Sequence, residues 1–328
     1  MILVAAMMSS ASCSGKVSST PAEQNIEEIV AESPGNMFSA DTSFSYVKAQ
    51  VDFGPRTPGS EAHDACARWI VSELKRHGAD TVMVQRGEVV DPVRGSKLPV
   101  SNILGRYNPQ AKDRLMLVAH YDTRPWADEE DNPDLHNTPI DGANDGGSGV
   151  GVMLELARQL GIESPEIGVD FLFVDAEDSG TSGDHPDANL SWALGSQYWV
   201  ENTDYSRLAL QPRLVIVLDM VGGLNARFHR EQFSTAYYPA EVNRVWAIAR
   251  QAGYGDRFVN EQGGPILDDH LPFIRKGIPA IDIVESKSSA TGSFPATWHT
   301  LSDNIQNISP ESLKAVGATM LHLIRTGF

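Results

Sequence analysis

The sequence predicts an α/β fold, a three-layer sandwich in which a central mixed β-sheet is flanked by helices. Three observations predict it. Short, mainly apolar runs at 115–119, 169–174 (which includes Asp170) and 214–218 read as strands buried on both faces. Helical patterns separate most of the strands, the alternation expected of a sheet covered on both sides. Two early strands, near 81–85 and 101–107, follow one another without a helix between them, which places an antiparallel hairpin at one edge.

Taken in order, 41–51 reads as a helix with Phe44, Val47 and Val51 on one face. A turn-rich loop, Phe53-Gly-Pro-Arg-Thr-Pro-Gly59, leads to an amphipathic helix over 60–77, capped by Ser60 and closed by Gly78. The run 115–119 ends at His120-Tyr-Asp122. The acidic stretch 123–140, which contains Trp126, is long for a loop inside a domain, so it is expected to be functional or disordered. Asp141-Gly-Ala-Asn-Asp-Gly-Gly-Ser-Gly149 precedes a helix whose apolar face carries Val150, Met153, Leu154, Ala157 and Leu160. The strand from Val169 exits at Asp175-Ala-Glu-Asp178. A helix over 191–202 carries Trp192 near its start. The run 214–218 ends at Asp219, 239–252 is helical, and Asp268-Asp-His-Leu-Pro272 opens a short helix. A strand over 278–284 and a polar loop over 285–297 lead to Trp298-His299-Thr300. Ser309-Pro-Glu311 caps a final helix that runs to about 325.

The net charge of −17 argues against a nucleic-acid or anionic-membrane partner and is compatible with a substrate bearing a free amino group. Two cysteines imply no disulfide framework, and Cys66 falls on the apolar face of its helix with Ala62, Trp69 and Ile70. Residues 1–13, an apolar Met1-Ile-Leu-Val-Ala-Ala-Met-Met8 followed by Ser9-Ser-Ala-Ser-Cys13, resemble the end of a bacterial lipoprotein signal without its basic start. The expectation is a lipid anchor at Cys13, a polar tether over 14–40, a single domain over 41–328, and a periplasmic or outer-membrane-associated lipoprotein of a Gram-negative bacterium.

Three buried runs end in ionisable residues: His120 and Asp122, Glu177 and Asp178, and Asp219. Ligands of open α/β sheets sit outside the carboxyl ends of the strands, so these exits converge on a site. Glu177 and Asp178 are adjacent; on an extended chain they point to opposite sides, one toward a metal and one toward substrate protons. Asp145, Asp178 and His299 offer two oxygens and one nitrogen, a set suited to zinc with one open position. His120 and Asp219 complete a second site if Asp145 bridges. There is no H-E-x-x-H, Walker A loop, G-x-G-x-x-G or G-x-S-x-G.

His120-Tyr-Asp122, Gly142-Ala-Asn-Asp145-Gly-Gly-Ser-Gly149, Asp175-Ala-Glu-Asp178, Leu218-Asp219 and Trp298-His299-Thr300 resemble the clan of zinc aminopeptidases and glutaminyl cyclases. Trp192, Asp268-Asp-His-Leu-Pro-Phe273 and the tryptophan before His299 look like bacterial glutaminyl-peptide cyclotransferases within it. The resemblance implies a zinc aminopeptidase-like sandwich around one zinc ion held by Asp145, Asp178 and His299. It implies Glu177 as the catalytic acid/base, with Asp219 and Asp268 as acidic partners. Trp192 and Trp298 become substrate-pocket walls, and His120 and Asp122 belong to a second metal site or to the hydrogen bonding around the first. The implied substrates are peptides or proteins with N-terminal glutamine; the alternative is a two-zinc aminopeptidase. Asp178 stands where animal cyclases carry Glu, a shorter arm with the same carboxylate.

Overall fold

Runs in which every side chain is buried build the middle of the sheet. A computed structural model describes residues 33–205 and 211–327. In it β3 (Arg114–His120) and β4 (Gly168–Val174) bury all their residues, as does β5 (Leu214–Asp219). With β1 (Thr81–Val90), β2 (Lys97–Tyr107) and β8 (Ala280–Val284) they form a six-stranded sheet ordered β1-β2-β4-β3-β5-β8. β2 runs antiparallel to β1 and β4; the β4-β3-β5-β8 pairings are parallel. The mixed sheet with an antiparallel edge hairpin is therefore present, with both hairpin strands longer than expected. β6 (Phe228–Arg230) and β7 (Phe258–Gln262) form a separate parallel pair that the sequence reading missed, because three and five residues carry too little periodicity.

The period of two along each strand sorts the core into two layers. Leu115, Leu117, Phe171, Phe173, Ile216 and Ile281 face α1 (Ala40–Val51), α2 (Glu61–Arg76) and α3 (Gly147–Ile162), a layer that also takes up the later helices α6 (Pro239–Gln251) and α8 (Pro310–Thr326). Met116, Val118, Leu172 and Val217 face α4 (Leu194–Asn202) and α7 (His270–Arg275). A short α5 (Gln232–Tyr237) lies between β6 and α6. Cys66 is fully buried in the first layer. Ser60 caps α2 by accepting from the His63 N–H at 3.1 Å, and Gly78 follows the helix with φ 74°.

Three expectations change. Residues 33–40 are not tether-like: Phe38 is buried against Gly317 of α8, and Ser33 Oγ lies 2.9 Å from His322 Nδ1. Cys13 and the rest of the signal and tether segments lie outside the described residues. The helix expected from 191 begins at Leu194, because Ala193 adopts a left-handed conformation (φ 54°) that a helix cannot include. Trp192 is thereby left in the loop before it. The chain after β4 is not extended: Ala176 has φ 49°, so the opposite-face argument for Glu177 and Asp178 gives way to a turn.

β3 lies between β4 and β5. The chain leaves β3 through α3 to β4 on one side and returns to β5 on the other. That reversal opens a crevice at the carboxyl ends of β3, β4 and β5, where open α/β sheets bind ligands. No helix among the described residues is long and apolar enough to cross a membrane.

Candidate active site

Each strand delivers its polar exit into this crevice, and buried side chains hold the loops there. The two oxygens of Asp122 accept the backbone N–H groups of Glu177 and Asp178, at 3.1 and 3.2 Å. Asp122 thus supports the loop and lies in neither donor group. Asp175 caps the turn from below: it bonds the His63 ring at 2.7 Å and accepts from the Ser101 N–H at 2.7 Å and the Tyr121 hydroxyl at 3.1 Å. The glycine-rich loop is held by Asp303, which accepts from the N–H groups of Asn144 (2.7 Å) and Asp145 (3.0 Å). Gly146, at φ 84°, lets it approach closely, since a Cβ there would sit 2.8 Å from Asp122 O and 2.9 Å from His120 Cε1.

Asp145, Asp178 and His299 then converge, with one donor atom from each within 4.8 Å of the others. His299 Nε2 lies 3.2 Å from Asp178 Oδ1 and 3.7 Å from Asp145 Oδ2. His120, Asp145 and Asp219 form a second such group, in which His120 Nε2 is 3.1 Å from Asp145 Oδ1 and 3.2 Å from Asp219 Oδ1. His120 Nδ1 faces Asp122 at 3.5 Å. Asp145 belongs to both groups, as a bridging ligand would.

Crowding of buried acids makes the site hungry for a cation or for protons. Burial, with the Asp178 charge beside it, pushes the Asp145 carboxyl up to about 8. Burial and the Asp219 charge raise Asp268 to about 6. Glu177 is pushed well above the usual carboxylate range by burial, with Asp268 and Asp269 adding to it against the opposing pull of His120. Burial opposes a charge on His299, but Asp178 and Asp128 overcome it and raise the ring to about 9. Asp178 Oδ2 is buried without a hydrogen-bond partner. Two carboxylates and an imidazole, one oxygen orphaned, fit zinc with a fourth position left for substrate.

A pocket of about 240 Å³ opens beside these donors, lined by Glu177, Asp219 and Asp268 and by an apolar wall that includes Trp192, Ile266 and Trp298. Both tryptophans also stack on the His299 ring, Trp298 at 3.6 Å between centroids and Trp192 at 6.1 Å. Gly180 admits Trp192, whose ring fills the space a Cβ would need. Every site residue named from the sequence is thus in or directly beneath one crevice. Reading the sequence missed Arg124, Asp128, Asp175, Asp269 and Asp303. Arg124 and Asp128 had a signal in their place in the long loop, and Asp175 and Asp269 stood inside the motifs at the strand exit and the short helix without being given a role; Asp303 had none.

Comparison with known proteins agrees with this geometry. Residues 102–324 match the model of Peptidase family M28. The crystal structure of Bacteroides thetaiotaomicron glutaminyl cyclase bound to N-acetylhistamine is 44% identical, covers 89% of this chain and 99% of that one, and superposes with a TM-score of 0.83. A Zn-dependent exopeptidase from Parabacteroides distasonis matches equally well, at 44% identity and TM-score 0.83 over 88% of this chain and 99% of that one. Among curated sequences, the glutaminyl-peptide cyclotransferase of Bos taurus is 26% identical over 285 residues, 77% of this chain and 73% of that protein. The family match spans the glycine-rich loop, all three strand exits and His299, and on that footing the chain belongs to peptidase family M28.

Proposed function

We propose that this protein is a zinc-dependent glutaminyl-peptide cyclotransferase, converting the N-terminal glutamine of peptides or proteins to pyroglutamate with release of ammonia. The observation that carries this reading is the small, tryptophan-walled pocket, about 240 Å³, lined by Glu177 and by the Asp145, Asp178 and His299 donors. It suits a folded-back glutamine side chain. The relatives named as glutaminyl cyclases support the same reading.

What zinc supplies when bound is Lewis acidity toward the side-chain carbonyl. The protein's own groups do the rest. The α-amine forms a bond to the side-chain carbonyl carbon, the bond from that carbon to the side-chain nitrogen breaks, and ammonia leaves. Glu177 takes the proton of the attacking amine and gives it to the departing nitrogen. A carboxyl held well above its usual range is matched to such shared-proton work. The tryptophans hold the chain end folded near its own carbonyl, and proximity supplies much of the rate. They also exclude water, which would yield glutamate instead.

The second donor group, His120, Asp145 and Asp219, favours one other reading, a two-zinc aminopeptidase. Incubation with glutaminyl peptides and leucyl anilides separates them. Ammonia release from the first with no cleavage of the second, at one zinc per chain, is the expected result; anilide hydrolysis without cyclisation overturns the proposal. Trp298→Ala should raise KM by about fivefold, the loss of an aromatic contact worth about 1 kcal/mol. An unchanged KM would remove Trp298 from the substrate wall and leave it only its stack on His299.

A further inference from the structure

The stretch 123–140 makes a grip on His299. Glu129 N–H donates to His299 O at 3.3 Å, and Glu130 Oε1 accepts from the Leu301 N–H at 2.8 Å. Asp128 Oδ1 faces the ring's far nitrogen, Nδ1, at 3.5 Å. His299 has φ 55°, a conformation an ordinary side chain adopts only when its surroundings hold it there. Asp128 is in turn held by a two-pronged contact: Arg124 Nε donates to its Oδ1 and Nη2 to its Oδ2, each at 2.6 Å. The remaining prong, Nη1, donates to Asp178 Oδ1 at 3.2 Å, to Asp178 O at 3.1 Å and to Gly180 O at 3.3 Å. One buried guanidinium therefore touches one proposed metal ligand directly and reaches a second through a carboxylate.

From this we infer that Arg124 and Asp128 are positioning residues for the zinc site, a fork that sets the separation and orientation of Asp178 and His299. The inference rests on the zinc site of the proposed function but not on its substrate. A carboxylate on the outer nitrogen of a ligating histidine fixes the tautomer with Nε2 free to bind metal and raises the basicity of the ring. Arginine is needed rather than lysine, because only a planar fork can hold two oxygens of Asp128 while a third N–H reaches Asp178. Trp126 covers the assembly. Its ring lies 5.4 Å from the Arg124 guanidinium and 4.0 Å from that of Arg94, which also bonds Ser179 O at 3.0 Å and Asp91 at 3.1 Å. The turn between β1 and β2 is thereby pinned over the fork, and the long loop acquires its purpose.

The experiment compares the zinc affinity of the full-length protein, by competition with a chromophoric chelator, for wild type, Asp128→Asn, Arg124→Lys and the double variant, with unfolding midpoints measured alongside. Asp131→Asn removes the same charge from an exposed site in the same loop and serves as the control. Asp128→Asn and Arg124→Lys should each bind zinc about 10- to 100-fold more weakly, while the control binds as wild type does. The double variant should lose less than the sum of the two, because the residues act in series. Zinc affinities of both variants equal to wild type overturn the inference, even if their midpoints fall, since that is what a merely structural ion pair would give. Asp128→Asn lies at a partly open position and decides the matter alone if Arg124→Lys does not fold. A wild-type protein that binds no zinc overturns the zinc-dependent reading and this inference together, whereas normal zinc binding with no cyclisation of glutaminyl peptides overturns the cyclotransferase reading and leaves this inference standing.

Discussion

Glu177→Gln is expected to lower kcat by about 10²- to 10⁴-fold, the range general acid–base groups contribute, with zinc content and unfolding midpoint retained. The substitution keeps the shape of the side chain and removes its proton chemistry. Glu177 belongs to neither donor group, so the metal should stay. Its side chain lines the pocket, where the proposed reaction needs a group to move the amine proton. The direction of its pKa makes a second readout. A raised carboxyl pKa means the base form appears only as pH climbs above the usual carboxylate range, so the wild-type rate should rise with pH through that interval. Because Glu177 and Asp268 lie close together, the limb belongs to the pair rather than to one residue. In the variant the residual rate should lose that limb. Near-normal turnover in single-turnover assays on a zinc-loaded variant would remove Glu177 from the reaction.

The strands that carry the site were legible because burial on both faces leaves a mainly apolar run, broken in β4 only by Asp170, which pairs with buried Arg114, and a polar residue at its end stands out. His120, Asp178 and Asp219 were found in that way, Asp145 through the glycines that crowd it against Asp122 and His120. The roles attached to them came from family resemblance. What stayed hidden works through contacts that no local pattern reveals. Asp303 holds Asn144 and Asp145 across 159 and 158 residues, and Arg124 reaches Asp178 across 54. Such pairs leave each partner looking like an ordinary surface charge. The alternation argument for Glu177 and Asp178 failed for a local reason. Ala176 turns the chain, and the two acids diverge because Asp122 holds both their N–H groups from beneath.

Arg56→Ala is expected to cost about 3–5 kcal/mol of folding stability, read as a lowered urea midpoint, and to weaken zinc binding with it. Arg56 was passed over as part of a turn-rich loop, yet its side chain is completely buried. It donates to three backbone carbonyls: Tyr121 O at 3.1 Å, Asp141 O at 2.6 Å and Gly142 O at 2.7 Å. Burial lowers its pKa, while Asp303 and Asp122 favour the charge and help keep it. Truncation would leave Tyr121 O and Asp141 O without this donor, Gly142 O with only the Gly147 N–H, and open a cavity where the guanidinium sat, two of the few mechanisms that produce large single-residue effects. The carbonyls it holds belong to the two segments that bring His120 and Asp145 together, the chain leaving β3 and the glycine-rich loop. Stability and metal affinity should therefore fall in step at Arg56, metal affinity alone should fall at Asp128, and neither should fall at Glu177. A loss of less than about 1 kcal/mol in Arg56→Ala would mean that water replaces the three hydrogen bonds, and that Asp303 by itself suffices to hold Asp145 against His299.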